Sequence, residues 1–513
     1  MSRAATSRRS TMESRPETLR AKNLRALLAD VAATVPPDIE ITDLTLDSRN
    51  VRPGAAFVAL PGTRTHGIGF AAQAVSAGAR AILWEPAASV VAPRVPDNVA
   101  VVAIPNLTQV LGGIADRYFG SPSHFVRVVG VTGTNGKTTT AHVLAAAAQQ
   151  LGIASAYAGT LGYGRIDALV TGTHTTPDSI TVHRQIAELR DSGVRTLGME
   201  VSSHALDQHR VDGVRLDTAI FTNLTRDHLD YHGTFEAYGA AKAQLFAWPG
   251  LKHAVINADD AFGQRLLAGP IAAETVVSYG RASASRADVR RLFARDITAG
   301  GNGLEIELDG SWGAATLHSR FVGDFNVENL LAVLATLLGW NISLQYAVDA
   351  LEQCTAPPGR METLTALEKP LAIIDYAHTP DALEKALQAV RKHCTGKLTC
   401  IFGCGGERDP GKRPLMGAIA ERLADQLIIT DDNPRGENGD AIVADIVKGL
   451  RWPERVEIER DRAAAIARGI RGASAGDAVL IAGKGHEDYQ IVGGERRQFS
   501  DRKVALAALG GRP

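Results

Sequence analysis

The chain has 513 residues, of which 45% are hydrophobic and 22% charged, so it can build several packed domains and is unlike a disordered polypeptide. Its 55 basic and 56 acidic residues give a net charge of -1, which offers no global reason to expect nucleic acid or an anionic membrane as partner. Its four cysteines, none in a C-x-x-C pair, favour a reduced, cytoplasmic setting over a zinc ribbon.

The first part of the chain is predicted to form a disordered tail and then a small α/β domain. Residues 1–20 are rich in Arg and Ser and lack the apolar core of a secretory signal, and a transit peptide is the alternative to a disordered tail. Short β-rich runs at 55–60, 79–84 and 99–104 then alternate with Ala-rich helical stretches. We therefore predict a domain over 21–125. No apolar run approaches the roughly 20 residues needed to span a bilayer.

Two further α/β domains are predicted after it, at 126–357 and 358–513. The consecutive prolines and glycine at 357–359 stop regular structure and mark the boundary between them. In the second domain, strands are predicted at 125–131, 196–201, 218–223 and 253–257, and helices at 138–150 and 326–338. In the third, strands are predicted at 371–375, 397–402, 426–430 and 478–482. Ligands gather at the carboxyl ends of such strands.

The segment at 132–139 reads T-G-T-N-G-K-T-T and lies between a predicted strand and helix. Its backbone N–H groups can wrap phosphates, while Lys137 neutralises charge and the Thr138 hydroxyl meets Mg²⁺. Val131 stands where the usual pattern has glycine, and a Gly-rich turn with an exposed lysine is the alternative. We predict a nucleoside triphosphate site formed by Gly133, Thr134, Asn135, Gly136, Lys137, Thr138 and Thr139.

Two later segments offer metal ligands. Glu200 ends a predicted strand and could coordinate a phosphate-bound Mg²⁺, or it could be a strand-end carboxylate facing water. His228 could bind metal as a neutral imidazole, or belong to a solvated polar loop. The segment from His228 to His232 reads H-L-D-Y-H instead of H-E-x-x-H, which disfavours a zinc hydrolase.

The segments T-G-T-N-G-K-T-T, H-T-T-P, M-E-V-S-S-H-A-L, N-L-T-R-D-H-L-D-Y-H-G and Y-G-A-A-K together resemble the Mur ligases, ATP-dependent amino-acid-adding enzymes of bacterial cell-wall precursor synthesis. The resemblance covers nearly the whole chain after the tail. It implies a central P-loop ATP-binding α/β domain, an N-terminal α/β domain for the UDP-linked substrate and a C-terminal Rossmann-like α/β domain for the amino acid. It further implies Mg²⁺ as cofactor and small molecules as the partners, and we expect a monomer.

The resemblance also implies a modified lysine. Lys242 matches a family lysine that CO₂ carbamylates, which would turn an ammonium into an anionic ligand for a second Mg²⁺. Lys137, Lys242 and His228 are then the expected catalytic residues, and Thr138, Glu200, His228 and Lys242 the expected metal ligands. Without the family, Lys242 reads as a lysine on a helix surface.

Further substrate contacts follow from the same resemblance. Asn326, Arg360 and Asp375 match nucleotide-contacting positions, although Asn326 and Asp375 also suit an ordinary helix start and strand end. The UDP-linked precursor is expected at Leu46, Ser48, Thr175, Thr176, Ser202, Gln208 and Arg210. His66 stands where the family often has Asp, which puts contacts from that loop in doubt.

The segment D-D-N-P-R at 431–435 resembles the signature of the diaminopimelate-adding members. Arg435 can fork onto the distal carboxylate of diaminopimelate, which lysine lacks, and Glu487 could pair with the distal ammonium. The expected acceptor residues are Arg408, Asp432, Asn433, Pro434, Arg435, Gly483 and Glu487. Considered without the resemblance, these segments also suit a polar Asn-Pro turn and solvated loop charges.

The resemblance thus implies a ligase that joins meso-diaminopimelate to the D-glutamate of a UDP-muramoyl dipeptide. ATP would first convert the carboxylate into an acyl phosphate, which the amine then attacks, so no enzyme nucleophile is needed. The alternatives are a lysine-adding counterpart and a folylpolyglutamate-synthase-like ligase. A regulatory P-loop ATPase and a silent precursor-binding protein represent other classes.

Overall fold

The computed structural model describes residues 21–511 except 33, 63, 64, 89, 173, 282–287 and 302. The tail predicted at 1–20 lies outside the described residues. Within the described ranges, no helix combines the length and the apolar character needed to cross a bilayer.

Residues 21–125 form a four-stranded parallel sheet with helices, as predicted. The strands of this sheet are β3 (Leu44–Thr45), β4 (Ala56–Ala59), β5 (Ala81–Trp84) and β6 (Ala100–Ala103), and β1 (Lys22–Asn23) and β2 (Glu40–Ile41) form a separate antiparallel pair. The helices are α1 (Leu24–Leu27), α2 (Ala71–Ser76) and α3 (Leu107–Tyr118). The sheet order is β3-β4-β5-β6. The three predicted strands are confirmed, each two residues shorter than predicted, because ladder ends fray.

Residues 126–357 build a ten-stranded sheet in the order β16-β15-β14-β13-β12-β11-β7-β10-β8-β9. Its strands are β7 (Arg127–Thr132), β8 (Ser155–Gly159), β9 (Gly162–Gly164), β10 (Thr196–Glu200), β11 (Leu216–Phe221), β12 (His253–Asn257), β13 (Thr275–Gly280), β14 (Arg290–Gly300), β15 (Gly303–Gly310) and β16 (Ala315–Ser319). The helices are α4 (Lys137–Gln150), α5 (Ser179–Asp191), α6 (Ser203–Asp207), α7 (Leu229–His232), α8 (Phe235–Ala243), α9 (Ala261–Ala268), α10 (Phe325–Gly339) and α11 (Leu344–Glu352).

The four predicted strands and two helices of this stretch are present, but the antiparallel arm β14-β15-β16 was not predicted. A register shift between Ala294 and Asp296 interrupts the alternation of β14, so the period-two signal is lost there. Helix α10 is apolar on nearly every side and packs against α4 and the sheet. It therefore anchors the helix that follows the phosphate loop.

Residues 358–511 form a second doubly wound sheet in the order β17-β18-β22-β19-β20-β21. Its strands are β17 (Glu362–Leu364), β18 (Leu371–Asp375), β19 (Leu398–Phe402), β20 (Gln426–Ile429), β21 (Glu457–Ile458) and β22 (Ala478–Ala482), followed by the hairpin β23 (Tyr489–Val492) and β24 (Glu495–Gln498). The helices are α12 (Pro380–Arg391), α13 (Lys412–Leu423), α14 (Gly439–Val447), α15 (Arg462–Arg471) and α16 (Asp501–Ala508). The loops after the parallel strands β18, β19, β20 and β22 leave one edge of the sheet.

Residue contacts divide the chain into two compact units. One comprises the chain up to Val128 with Thr176–Arg195 and Ser202–Leu216, and the other comprises Val129–Thr175, Thr196–Val201 and the chain from Asp217 onward. Helix α5 joins the first unit because Ile180 and Ala187 belong to the same apolar core as Leu111. The domain boundaries proposed near 125 and 357 stay predictions.

Candidate active site

Two glycines shape the loop between β7 and α4. Gly133 and Gly136 have φ of +151° and +84°, and a Cβ would collide with Thr222 Oγ1 at the first and Asn329 Oδ1 at the second. Only glycine fits both positions without strain. Lys137, Thr138 and Thr139 follow in the first turn of α4, where N–H groups have no intrahelical acceptor. The loop thus has the geometry of an anion cradle.

The start of the loop is held by the segment that follows β11. Thr134 N donates to Asn223 O over 2.8 Å, and Asn135 N donates to Asn223 Oδ1 over 2.9 Å. Thr225 N donates to Thr134 Oγ1 over 2.9 Å. The N–H groups of Thr134 and Asn135 therefore fix the shape of the loop, and those of α4 are left for a ligand.

Two lysines converge on one carbonyl of this loop. Lys137 Nζ donates to Gly133 O and Thr134 O, each over 2.9 Å. Lys242 Nζ, from α8, also donates to Gly133 O over 2.9 Å and lies 4.6 Å from the Tyr238 ring centroid. Lys242 is only 1% exposed, so the surface-lysine interpretation was wrong.

The surroundings of Lys242 disfavour its charged form. Burial, and then the Lys137 charge, hold the pKa of Lys242 well below its ordinary value, while Asp227 opposes the shift. Burial also lowers the pKa of Lys137, which Glu200 and Asp227 oppose and Arg360 reinforces. Among the described residues, neither amine has a carboxylate within ion-pair distance. Two neighbouring buried charges of the same sign repel each other, which favours the neutral form of one of the two lysines.

Glu200 is buried at the end of β10, 1% exposed, so the water-facing alternative was wrong. Its Oε1 accepts from the Tyr157 hydroxyl over 2.5 Å and from Thr160 N over 2.9 Å, and its Oε2 accepts from Thr160 Oγ1 over 3.2 Å. Burial, followed by the Glu200 charge, raises the pKa of Tyr157 well above its ordinary value. The tyrosine therefore stays protonated and donates to the carboxylate.

His228 directly precedes α7 as its N-cap residue, with φ of +51°. Its side chain is 46% exposed, and its ring centroid lies 6.0 Å from that of Tyr238. Within the described ranges, no three His, Cys, Asp or Glu side chains form a group that could hold a metal ion. Carboxylate and hydroxyl oxygens such as those of Glu200 and Thr138 suit Mg²⁺, which usually keeps several waters and phosphate oxygens as ligands. Glu200 and Thr138 fit that kind of site, and ligation by all four expected residues stays a prediction.

Asn326 lies behind the phosphate loop. It is 2% exposed, its Nδ2 donates to Val322 O over 2.8 Å, and its Oδ1 accepts from Asn329 Nδ2 over 2.9 Å. Asn329 Oδ1 in turn accepts from Thr140 Oγ1 over 3.2 Å. Asn326 thus supports α4 through Asn329, and its predicted contact with nucleotide remains a prediction.

Arg360 and Asp375 lie at the start of the C-terminal stretch. Asp375 Oδ2 accepts from Met361 N over 2.8 Å, and burial raises the pKa of Asp375 against the effect of Arg360. The Arg360 guanidinium lies 5.0 Å from the Tyr376 ring centroid, and its buried Nε has no hydrogen-bond acceptor among the residues described. Its charge contributes to lowering the pKa of Lys137, and its contact with nucleotide stays a prediction.

Two residues expected to bind the UDP-linked precursor, Leu46 and Ser48, follow strand β3 in the first unit. Leu46 packs against the apolar core, and Ser48 Oγ donates to Gln73 Oε1 over 2.8 Å. His66, the departure from the family pattern, accepts from Ile68 N over 3.0 Å and so caps a short helical turn. The imidazole thus serves as the N-cap of this turn.

Four other precursor residues come together in the same unit. Arg210 Nη1 donates to Thr176 O over 2.9 Å and its Nη2 donates to Gln208 Oε1 over 2.5 Å. Thr176 Oγ1 accepts from Ser202 N over 3.2 Å. Thr175 belongs to the other unit, where its hydroxyl oxygen lies 3.1 Å from Thr160 Oγ1.

Asn433 is the centre of a buried network at the expected acceptor site. Its Nδ2 donates to Glu487 Oε2 over 2.8 Å, and its Oδ1 accepts from Lys484 Nζ over 3.1 Å and Ile491 N over 2.9 Å. Lys484 Nζ also donates to Glu487 Oε2 over 3.1 Å. The Oε1 atom of Glu487 has no hydrogen-bond donor among the described residues, so half of this carboxylate is open to a ligand.

Arg435 is held against the hairpin β23–β24. Its N donates to Ile491 O over 2.9 Å, its O accepts from Gly493 N over 2.8 Å, and its φ is +55°. Nη1 donates to Gly406 O over 2.7 Å, whereas the other guanidinium N–H groups have no acceptor in the described ranges. A backbone held on both sides therefore presents a partly unsatisfied guanidinium.

The other expected acceptor residues surround this network. Asp432 and Pro434 are buried, and burial raises the pKa of Asp432 against the effects of Arg462 and Lys484. Gly483 has φ of +115°, and a Cβ there would lie 2.6 Å from Asp432 Oδ2. Arg408 is exposed and makes no hydrogen bond to a described residue.

Sequence reasoning missed Lys484, Tyr157 and the hairpin. Lys484 stands in a G-K-G-H-E segment, but nothing local indicates that its side chain is 0% exposed. Tyr157 approaches Glu200 from a strand 43 residues earlier. Gly493-Gly494 between two short alternating runs is the one signal that could have predicted the hairpin.

Three family models match the sequence. The model "Mur ligase family, catalytic domain" matches residues 40–119, "Mur ligase middle domain" matches 131–337, and "Mur ligase, glutamate ligase domain" matches 359–485.

Relatives and solved structures extend the likeness over the length of the chain. A UDP-N-acetylmuramoyl-L-alanyl-D-glutamate--2,6-diaminopimelate ligase of Xanthomonas oryzae pv. oryzae is 50% identical over 96% of this chain and 98% of its own. The ligase of that name from Pseudomonas aeruginosa is 48% identical over 92% and 96%. A solved structure with that name has a TM-score of 0.71 and 34% identity, covering 96% of this chain and 99% of the other.

Proposed function

The chain belongs to the Mur ligase family, and from that premise we propose that it joins meso-2,6-diaminopimelate to the D-glutamate of UDP-N-acetylmuramoyl-L-alanyl-D-glutamate. ATP is converted to ADP and phosphate in the reaction. The fold is the three-domain α/β fold of this family of ATP-dependent, amide-forming ligases. The product belongs to the synthesis of peptidoglycan precursors.

The chemistry requires activation of a carboxylate, which is too poor an electrophile for an amine. The γ-phosphoryl group of ATP passes to the D-glutamate γ-carboxylate, giving an acyl phosphate and ADP. The amine then attacks the acyl carbon and phosphate leaves. Lys137 and the N–H groups of α4 suit the stabilisation of phosphoryl charge, and Arg360 is placed to add to it.

Lys242 is proposed to carry the carbamate. A neutral amine adds to CO₂, forming an N–C bond and releasing one proton, and the product is an anion. Burial beside Lys137 supports this assignment because it favours the neutral amine that must react. Carbamylation would also remove one of the two lysine charges beside Gly133 O and place there an anionic group suited to Mg²⁺.

Thr138, Glu200 and His228 are proposed as the other groups that hold Mg²⁺ with the phosphates. The cation, when bound, would neutralise charge that develops during phosphoryl transfer. The chain's own part is to fix these groups: Tyr157 and Thr160 hold the Glu200 carboxylate. Thr176, Ser202, Gln208 and Arg210 are proposed to bind the anionic precursor, with Leu46, Ser48 and Thr175.

The observation that carries the choice of acceptor is that Arg435 and Glu487 both border one network, since Asn433 bonds to Glu487 and to Ile491, and Ile491 bonds to Arg435. The partly unsatisfied guanidinium suits the distal carboxylate of diaminopimelate, and the open Oε1 of Glu487 suits its distal ammonium. Lysine as the acceptor has no distal carboxylate and would leave the Arg435 guanidinium without a partner. Glutamate as the acceptor would place its own carboxylate beside that of Glu487. Exposed Arg408 is proposed to contact the incoming amino acid.

The test is an acceptor panel. Purified protein receives ATP, Mg²⁺, bicarbonate and the UDP-muramoyl dipeptide, and ADP release is measured with diaminopimelate, lysine or glutamate. We expect release to depend on diaminopimelate and a new amide to form. Release with lysine or glutamate alone would support the lysine-adding or folylpolyglutamate-type alternative, and acceptor-independent release would support a regulatory ATPase.

We also expect a monomeric, cytoplasmic enzyme that takes small-molecule substrates. Binding of small molecules fits the family. Light scattering on the eluting protein measures its mass in solution, and a dimer mass would contradict the monomer.

A further inference from the structure

Lys484 is a buried cation inside the proposed acceptor site. Its side chain is 0% exposed, and its ammonium is shared between Asn433 Oδ1 and Glu487 Oε2, with the Tyr489 ring centroid 5.5 Å away. A buried ammonium with two charge-assisted hydrogen bonds is held in one position. Lys484 therefore fixes which oxygen of Glu487 remains open.

The charges around Lys484 do not balance. Asp432 interacts with Arg462, Lys484, Glu487 and Asp501, and the Arg462 and Asp501 side chains form a fully buried ion pair with N–O distances of 2.7 and 2.8 Å. Among these five side chains two cations face three carboxyl groups, so the cluster has no spare positive charge for a ligand carboxylate. A ligand ammonium is therefore favoured beside it, whereas a ligand carboxylate depends on Arg435.

We propose that Lys484 is a specificity-determining positioning residue, whose charge lets the site admit the distal carboxylate of diaminopimelate beside the distal ammonium. This rests on the proposed function. Lys484 offsets one carboxylate of the cluster, and through Asn433 and Glu487 it keeps the open Oε1 in place. Arg435 then binds the distal carboxylate in a field that is only weakly negative.

Comparing diaminopimelate with lysine separates the effect of the Lys484 charge from its effect on the stability of the site. Diaminopimelate and lysine both carry the distal ammonium, so any change in its attraction affects them alike. Only diaminopimelate carries the distal carboxylate. A change in the cluster's charge therefore changes the ratio of the two affinities, whereas a loosened fold weakens both together.

The experiment measures the lysine inhibition constant divided by the KM for diaminopimelate, using ADP release by the full chain. Lys484→Met makes the cluster more negative and should lower this ratio about tenfold. Lys484→Arg keeps the charge and should keep the ratio, even where its different shape lowers kcat. Glu487→Gln makes the cluster less negative and should raise the ratio although both acceptors bind more weakly. The KM for ATP should stay constant in all three.

The outcomes are separable. Equal weakening of both acceptors in Lys484→Met, with Lys484→Arg equally impaired, would overturn the proposal in favour of a purely structural lysine. Should Lys484→Met not fold, Glu487→Gln decides alone: a ratio that falls or stays constant contradicts the proposal. If the unaltered protein gives no diaminopimelate-dependent ADP release, it is the proposed function that fails.

Discussion

Two buried lysines, Lys242 and Lys484, lie in very different surroundings. Lys242 is 1% exposed and its amine has one backbone carbonyl and an aromatic ring as neighbours, with the Lys137 charge close by. Lys484 is 0% exposed and its ammonium has a carboxylate and an amide oxygen as acceptors. Burial penalises charge in both places, but only Lys484 receives a counter-charge.

The difference shows that burial alone does not decide what a lysine does. The Lys242 amine has no neighbouring carboxylate and lies beside the charge of Lys137. Both conditions favour loss of its proton and therefore reaction as a neutral amine. With a carboxylate, Lys484 can remain a fixed charge that shapes the field around it. We therefore expect a reactive amine in the phosphate-loop region and a fixed, field-shaping cation in the region proposed to bind the acceptor.

The largest effect that would test this comparison comes from Lys242→Arg. A guanidinium stays protonated and forms no carbamate, so we expect ligation to fall by roughly 10²–10³-fold, the scale of losing one transition-state charge partner. Carbon-13 bicarbonate should give a carbamate resonance in the unaltered protein that is absent from the variant. Lys385→Arg, at an exposed ion pair, is the control and should leave the ligation rate and the carbamate resonance unchanged. Full activity in Lys242→Arg would contradict the assignment.

A third buried base extends the comparison to stability. His142, on α4, has a buried Nδ1 without a partner among the described residues, and burial lowers its pKa to about 4. The unfolded chain gains this proton near pH 6.5 and the folded chain only near pH 4, so stability is lost as pH falls between these values. The full loss is about 3 kcal/mol. His142→Leu should remove that part of the pH dependence in denaturant unfolding, and His318→Leu, exposed, should not.

Arg435→Ala tests the acceptor region. Loss of a charged hydrogen bond should cost about 1.5–3 kcal/mol in the preference for diaminopimelate over lysine. The KM for ATP should not change, because Arg435 contacts the hairpin and the 405–406 loop. Arg435→Lys keeps the charge without the fork and should recover only part of the preference. An unaltered preference in Arg435→Ala would remove this residue from the acceptor site.

The smallest effect concerns the coupling of Lys137 to Lys242. Removing the Lys137 charge in Lys137→Met should raise the pKa of Lys242, since like charges disfavour protonation. The neutral amine, and therefore the carbamate, then forms at a pH about one unit higher than in the unaltered protein. Carbamate signal measured against pH without nucleotide gives the shift, and Lys385→Met is the control. An unchanged midpoint would mean that burial alone sets the reactivity of Lys242.

Sequence reasoning worked best where the relevant signal is local. The strands at 253–257, 371–375 and 478–482 were predicted with the bounds that the structure has, because short apolar runs bounded by turns suit buried parallel strands. The glycine-rich loop was also predicted at its observed place between β7 and α4, since its glycines are needed by the backbone of the loop itself. The arm β14-β15-β16 was missed because a bulge breaks its alternation.

By itself the sequence determined the α/β class, the parallel strands that precede the polar segments, and the glycine-rich loop between β7 and α4. Only the tertiary structure decided which lysines are buried and what surrounds them. Gly133 O meets Lys242 from 109 residues away, and Lys484 meets Asn433 from 51 residues away. The physical reason is that the protonation and orientation of a side chain depend on solvent exclusion and nearby charges, which chain segments distant in sequence supply together.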